Sequence, residues 1–70
     1  MVEKTIDLTG SSANSIEDAV NLAISRAAVT ISGIRRVEVV NVTGTVENDS
    51  VAMWHVRLKV TFLIQDRLHE

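Results

Sequence analysis

The sequence contains no cysteine, no proline and no long apolar run. Without cysteine the chain can form no disulfide, and its two histidines, His55 and His69, stand fourteen residues apart with no thiol to complete a zinc site. No apolar stretch approaches about 18 residues, and the N-terminus lacks the apolar core of a signal peptide. We therefore expect a cytoplasmic protein without a membrane partner.

Neither sign of charge predominates. Seven basic residues stand against nine acidic ones, which gives a formal charge of −2 and a pI of about 5.6. A protein that binds the phosphate backbone of nucleic acids needs a basic stripe. The composition therefore predicts no nucleic-acid partner.

The small size of the chain favours self-association. Its 70 residues make a single domain, residues 1–70, and a domain of this length buries only about 60% of its unfolded surface. Such domains usually depend on a disulfide, a metal or an oligomer for stability. Since the first is excluded and no zinc spacing is present, the 46% apolar content predicts a closed oligomer.

Hydrophobic periodicity predicts the element order strand, helix, strand, strand. The approximate bounds are 2–8, 15–32, 34–42 and 51–64, with turns at 9–12 and 43–51 and a frayed tail at 65–70. This pattern predicts an α+β fold of β-α-β-β order, with a three-stranded antiparallel sheet wrapped on one helix. The third strand is long enough to project past its neighbours and expose sheet edges, which other subunits would cover.

The predicted helix has recognisable ends and one apolar stripe. Ser15 and Asp18 resemble a capping box, and Gly33 lies where a left-handed C-cap is needed. Small side chains keep the stripe thin, so that the helix can lie close to a sheet. The stripe residues are Ile16, Val20, Ala23, Ile24, Ala27 and Ile31.

The third strand separates a dry face from a wet face, because successive side chains on a strand point to opposite sides. Trp54 falls on the dry, helix-facing side, and we expect it in the core. The polar residues that share the opposite face are Arg36, Glu38, His55, Arg57 and Lys59. They predict either a pocket between subunits for an anionic or aromatic ligand, or charges paired across subunit contacts, such as Glu38 with Arg57 or Lys59.

No catalytic or metal constellation is evident. His55 as a general base would need a nucleophile and an orienting partner, and the spacing selects neither. The turn Glu47-Asn48-Asp49 lacks the ligand ladder of an EF-hand, and Asp7 and Glu38 are a further candidate pair for a cation at a symmetry axis. We expect no enzyme activity and leave any metal ligands open.

Six segments, in order and at matching spacing, carry a resemblance to a known family. They are residues 8–12, 15–20, 23–27, 37–40, Gly44 and 56–62. Over nearly its full length the chain resembles the dodecins, very small flavin-binding proteins. The resemblance implies a β-α-β-β protomer that assembles into a hollow homododecamer and stores FMN or riboflavin.

The resemblance also implies an altered flavin site. In flavin-binding dodecins a tryptophan on strand two stacks on the flavin ring, and a glutamine on strand three bonds its polar edge. Here Arg36 holds the tryptophan position and His55 the glutamine position. Two further positions, which some members fill with arginine, hold Thr43 and Leu63. The candidate cofactor-binding residues are thus Arg36, Thr43 and His55.

These substitutions predict weak or absent flavin binding. A guanidinium has less apolar contact area than an indole, and an imidazole lacks the paired donor and acceptor of an amide. An anion, a phosphate-bearing ligand or Glu38 as an internal counter-ion suits the residues better. The alternatives are a shell that binds calcium or magnesium, a normal flavin-storage dodecin, and a module whose outer surface binds another protein.

Overall fold

A computed structural model describes residues 2–64 as three strands and one helix. In chain order these are β1 (Val2–Ser12), α1 (Ile16–Thr30), β2 (Ile34–Glu47) and β3 (Ser50–Ile64). The sheet is antiparallel with strand order β1-β3-β2, and the helix packs against β1 and β3. The predicted β-α-β-β fold is confirmed. The tail expected to fray, 65–70, lies outside the described residues.

The first strand is longer than predicted, since residues 9–12 continue it instead of forming a turn. Gly10 pairs with Val56 and Ser12 with Trp54. The chain turns only after Ser12, whose Oγ accepts a hydrogen bond from the backbone N–H of Asn14 at 2.9 Å. The glycine and hydroxyl residues that suggest a turn therefore serve the end of a strand and the entry to the helix.

Ser15 caps the helix as predicted, but the capping box is not reciprocal. The backbone N–H of Asp18 donates to Ser15 Oγ at 2.9 Å. The Asp18 carboxylate accepts from Ser12 Oγ at 2.6 Å, so it ties the helix to the end of β1. Its negative charge also lies in the first turn, where the helix dipole favours it.

The predicted C-cap is wrong. The helix ends at Thr30, and its C-cap Ile31 is extended (φ −116°). Gly33, at φ 78°, has the left-handed conformation but lies beyond the cap. Its carbonyl oxygen accepts a hydrogen bond from the Leu63 N–H at 3.0 Å. The glycine thus aligns the start of β2 with the end of β3.

The core lies between three helix alanines and the dry face of β3. Its buried residues are Ala19, Ala23, Val56, Leu58 and Val60, with Ala27 continuing the helix stripe. The close helix approach expected from the alanines is confirmed at Gly10, where an added Cβ would overlap the Ala19 carbonyl oxygen.

Trp54 does not belong to this core, which corrects the prediction. It is only half-buried and pairs with Ser12 and Gly44. Since α1 begins at Ile16, beyond the end of β1, and runs back over the sheet, it covers Trp54 only in part. The sequence predicts correctly which face of β3 carries Trp54, but the point at which the helix starts decides how far this side chain is buried.

The hairpin between β2 and β3 is tighter than predicted. Its turn consists of Asn48 and Asp49 alone, at φ 53° and 65°, the left-handed values typical of a two-residue hairpin turn. Strand β2 therefore extends to Glu47, through most of the predicted turn. A bulge leaves Val40 without a partner and reverses the alternation beyond it.

The protomer is elongated and leaves β2 uncovered. The described chain measures 58 × 19 × 12 Å, and its radius of gyration is 14.9 Å, against about 11 Å for a compact domain of this length. The hairpin tip, rather than β3 alone, projects past β1. Apolar side chains are exposed along β2, namely Val37, Val39, Val40, Val42 and Val46. Such a surface is consistent with the predicted self-association, which stays a prediction.

Candidate ligand site

Polar side chains cross the sheet in rows on the face away from the helix. The register aligns each β3 residue with one residue on β1 and one on β2. The rows are Ser11–His55–Thr43, Thr9–Arg57–Asn41, Asp7–Lys59–Glu38 and Thr5–Thr61–Arg36. The five polar residues predicted to share this face do share it.

An open pocket of about 200 Å³ lies over the first two rows. Five residues line it, and we refer to them as the sheet pocket: Thr9, Asn41, Thr43, His55 and Arg57. Its lining combines hydroxyl, amide, imidazole and guanidinium groups without a carboxylate. Such a lining is rich in hydrogen-bond donors and carries positive charge.

His55 is held by hydroxyl groups from both neighbouring strands. Its Nδ1 lies 2.8 Å from Ser11 Oγ on β1. Its Nε2 lies 2.8 Å from Thr45 Oγ1 on β2. A neutral imidazole has one donor and one acceptor nitrogen, so one of these bonds runs in each direction. The two bonds fix the plane of the ring.

The contact between Ser11 and His55 was not foreseen, because Ser11 was assigned to a turn. A serine hydroxyl beside an imidazole is the first requirement for a nucleophile. In hydrolases the second imidazole nitrogen donates to a carboxylate, which stabilises the imidazolium. Here Thr45 occupies that place with a neutral hydroxyl. The arrangement orients His55 but does not provide that charge stabilisation.

Arg36 lies apart from the pocket within one protomer. It pairs with Thr61, six residues along β3 from His55, or roughly 20 Å at about 3.4 Å per residue. Its Nη2 is 3.4 Å from Glu3 Oε1, and the two side chains are 67% and 38% exposed. Of the three predicted site residues, the structure thus brings together Thr43 and His55 but not Arg36.

Sequence reasoning missed several residues around His55. Thr9 and Ser11 were missed because their segment resembles a turn, and Thr45 because it lies in the predicted turn 43–51. Asn41 was missed because the bulge at Val40 shifts the alternation. The only available signal was the run of small hydroxyl residues on both flanking strands. Arg57 was predicted on the polar face that could form a pocket, but not among the candidate cofactor-binding residues.

Two searches of the described residues gave negative results. Among residues 2–64, no group of three or more histidine, cysteine, aspartate or glutamate side chains is arranged to hold a metal ion. In the same part of the chain, no helix is long and apolar enough to cross a membrane.

Comparison with known proteins identifies the family. The dodecin family model matches residues 2–65. An arginine-to-alanine variant of the Thermus thermophilus dodecin is 31% identical with a TM-score of 0.90, over 93% of this chain and 97% of that one. The dodecin from Streptomyces davaonensis is 29% identical with a TM-score of 0.88, over 93% and 96%. The chain belongs to the dodecin family.

A third similar structure has a different stated ligand. It is the calcium dodecin of Mycobacterium tuberculosis, described as a calcium-chelating immunodominant antigen with a novel calcium-binding site. It is 27% identical with a TM-score of 0.81, and the match covers 100% of both chains. No curated protein matches the chain.

Proposed function

We propose that this dodecin assembles into a hollow homododecamer and binds a small ligand without catalysing a reaction, and that it binds flavin weakly or not at all. The uncovered valines of β2 and the elongated protomer support assembly, since a lone chain would leave this apolar surface in water. The polar sheet pocket supports a ligand-binding role.

The hydrogen bonding of His55 is the observation on which the flavin part depends. The family resemblance implies that flavin-binding dodecins carry a glutamine at this position, whose amide bonds the polar edge of the flavin. Both nitrogens of His55 are already engaged, at 2.8 Å each, by Ser11 and Thr45. To bond a flavin, His55 would have to give up one of these hydrogen bonds. It would then offer the flavin one donor or one acceptor, whereas an amide offers both.

Arg36 weakens flavin binding for a second reason. Stacking on a tryptophan would bury a large apolar area, whereas Arg36 is exposed and paired with Glu3. The resemblance implies that two flavins stack between two such side chains at a dyad. Two guanidinium groups brought together there would repel each other unless an anion lies between them.

A titration of riboflavin and FMN with the assembled protein tests the proposal. We expect flavin fluorescence to remain unchanged at micromolar protein, because neither stacking area nor a free paired hydrogen-bonding group is available. Strong quenching at these concentrations would overturn the proposed loss of flavin binding and favour a normal flavin-storage dodecin.

Cation binding is the second candidate, favoured by the likeness to the calcium dodecin. A ligand specific to the folded state raises the melting temperature. A higher melting temperature in calcium or magnesium than in chelator would favour a cation-binding shell. An unchanged temperature would count against it.

A further inference from the structure

We propose that the sheet pocket binds a small oxyanion, such as sulfate or a phosphate group, and that protonation of His55 strengthens this binding. The inference deepens the proposed ligand-binding function by giving the chemical class of the ligand and its control. It depends on the geometry within one protomer.

The lining of the pocket is suited to an oxyanion. Arg57 presents a fork of N–H donors, Thr9 flanks it on β1 with a hydroxyl, and Thr43 adds a hydroxyl from the row of His55. The Asn41 amide can donate as well. Among residues 2–64, the carboxylates nearest along this face are Asp7 and Glu38, one row further along, on either side of Lys59. A tetrahedral anion over Arg57 would therefore meet donors from all three strands.

Protonation of His55 changes the hydrogen bonding in a defined way. In the neutral ring one nitrogen must accept a hydrogen bond from the Ser11 or the Thr45 hydroxyl, so the hydrogen of that hydroxyl is engaged. In the charged ring both nitrogens donate, and the hydrogens of both hydroxyls become available to other acceptors. One protonation thus adds a positive charge and releases one more donor.

Within the part of the chain that the structure describes, few other charges lie near His55 on this face. From β1 it is faced by Ser11 and Thr9, and from β2 by Thr43, Thr45 and Asn41, all neutral. On β3 the neighbouring charge is Arg57, about 7 Å along the strand. The row Asp7–Lys59–Glu38 follows at roughly 13 Å, and the helix packs on the opposite face. An anion between His55 and Arg57 would offset their mutual repulsion, so anion binding and His55 protonation should favour each other.

Calorimetric titration of the assembled protein with sulfate at pH 5 and pH 8 tests the proposal. These limits bracket the range in which histidines change charge, while sulfate keeps its own charge throughout. We expect sulfate to bind about tenfold more tightly at pH 5, equivalent to about 1.4 kcal/mol. A second series with glycerol phosphate at pH 8, where both ligands are dianions, compares a free anion with the phosphate group of a larger molecule, and the tighter binder indicates the source.

Two matched variants isolate the role of His55. His55→Gln keeps a side chain that can bond both hydroxyls and should lose the pH dependence. His69→Gln has the same composition and should retain it. Arg57→Gln should weaken sulfate binding about tenfold or more at both pH values.

Sulfate binding that depends on Arg57 but not on pH would overturn the role of His55 and leave ligand binding by the pocket intact. The absence of sulfate binding at both pH values would overturn the oxyanion proposal. Neither result bears on the flavin titration, which tests the proposed loss of flavin binding separately.

Discussion

The double substitution Arg36→Trp with His55→Gln is expected to create flavin binding, with an affinity at least about 100-fold above that of the parent protein. An indole buries about 150–250 Å² on stacking, worth about 4–6 kcal/mol at 25 cal/mol per Å². A 100-fold gain needs only about 2.7 kcal/mol. The remaining free energy allows for incomplete burial of the indole. It also allows for Thr43 and Leu63, which the double variant leaves in place of the arginines that some dodecins carry there.

Both positions should accept the new side chains. Arg36 is 67% exposed, and its ion pair with Glu3 is 3.4 Å long. Exposed pairs of this kind contribute about 0–1 kcal/mol. A glutamine at position 55 can bond the Ser11 and Thr45 hydroxyls through its oxygen and nitrogen. Unlike an imidazole, it keeps a second N–H and a second oxygen lone pair for the flavin edge.

Quenching of riboflavin and FMN fluorescence provides the measurement. Arg35→Trp with His55→Gln is the matched control, because Arg35 is also exposed but lies at a register shift of β2 and has no partner in the ladder. We expect no quenching with the control. If the double variant quenched flavin fluorescence no more than the control, Arg36 and His55 would not account for the weak flavin binding proposed for the parent protein.

Gly10→Ala is expected to lower the free energy of unfolding by at least about 2 kcal/mol, since overpacking a close contact typically costs 1–3 kcal/mol. The added Cβ would overlap the carbonyl oxygen of Ala19 and stand 2.9 Å from the Cβ of Ala23. Both atoms belong to the helix, so no flexible side chain can turn away. The helix would have to move off the sheet and open the core at Val56.

Gly44→Ala is the matched control for this prediction. Its Cβ would stand 3.2 Å from Val51 Cγ1 and 3.6 Å from the Trp54 ring. Val51 is 41% exposed and can move, so we expect a loss below about 1 kcal/mol. Denaturant unfolding at equal protomer concentration measures both variants, because association couples stability to concentration. Equal losses would contradict the close approach of α1 to β1.

The fold was predictable because its main signals are local. The alternation along β3 assigns its faces correctly, since the strand pairs on both sides and is regular over the rows that bury Val56, Leu58 and Val60. The cap at Ser15 is likewise a short-range hydrogen bond. The ends of β1 and β2 were missed because strand pairing extends them through residues whose own preferences favour turns.

The candidate site was predictable only in part. Family resemblance pointed to His55 and Thr43, which do meet across the sheet. The hydroxyl partners of His55 depend on the length of β1 and on the bulge at Val40, and both arise from pairing between distant segments. Arg36 illustrates the converse. The sequence alone places its side chain on the polar face, but only the strand register shows how far it lies from the pocket.

Native mass spectrometry of the protein as purified, together with its visible absorption spectrum, would reveal both its assembly and any bound flavin. We predict a particle of twelve chains of 7.7 kDa each, about 92 kDa, without bound flavin and without a flavin absorption band. A folded single chain at dilute concentration, or a dodecamer that carries flavin, would contradict it.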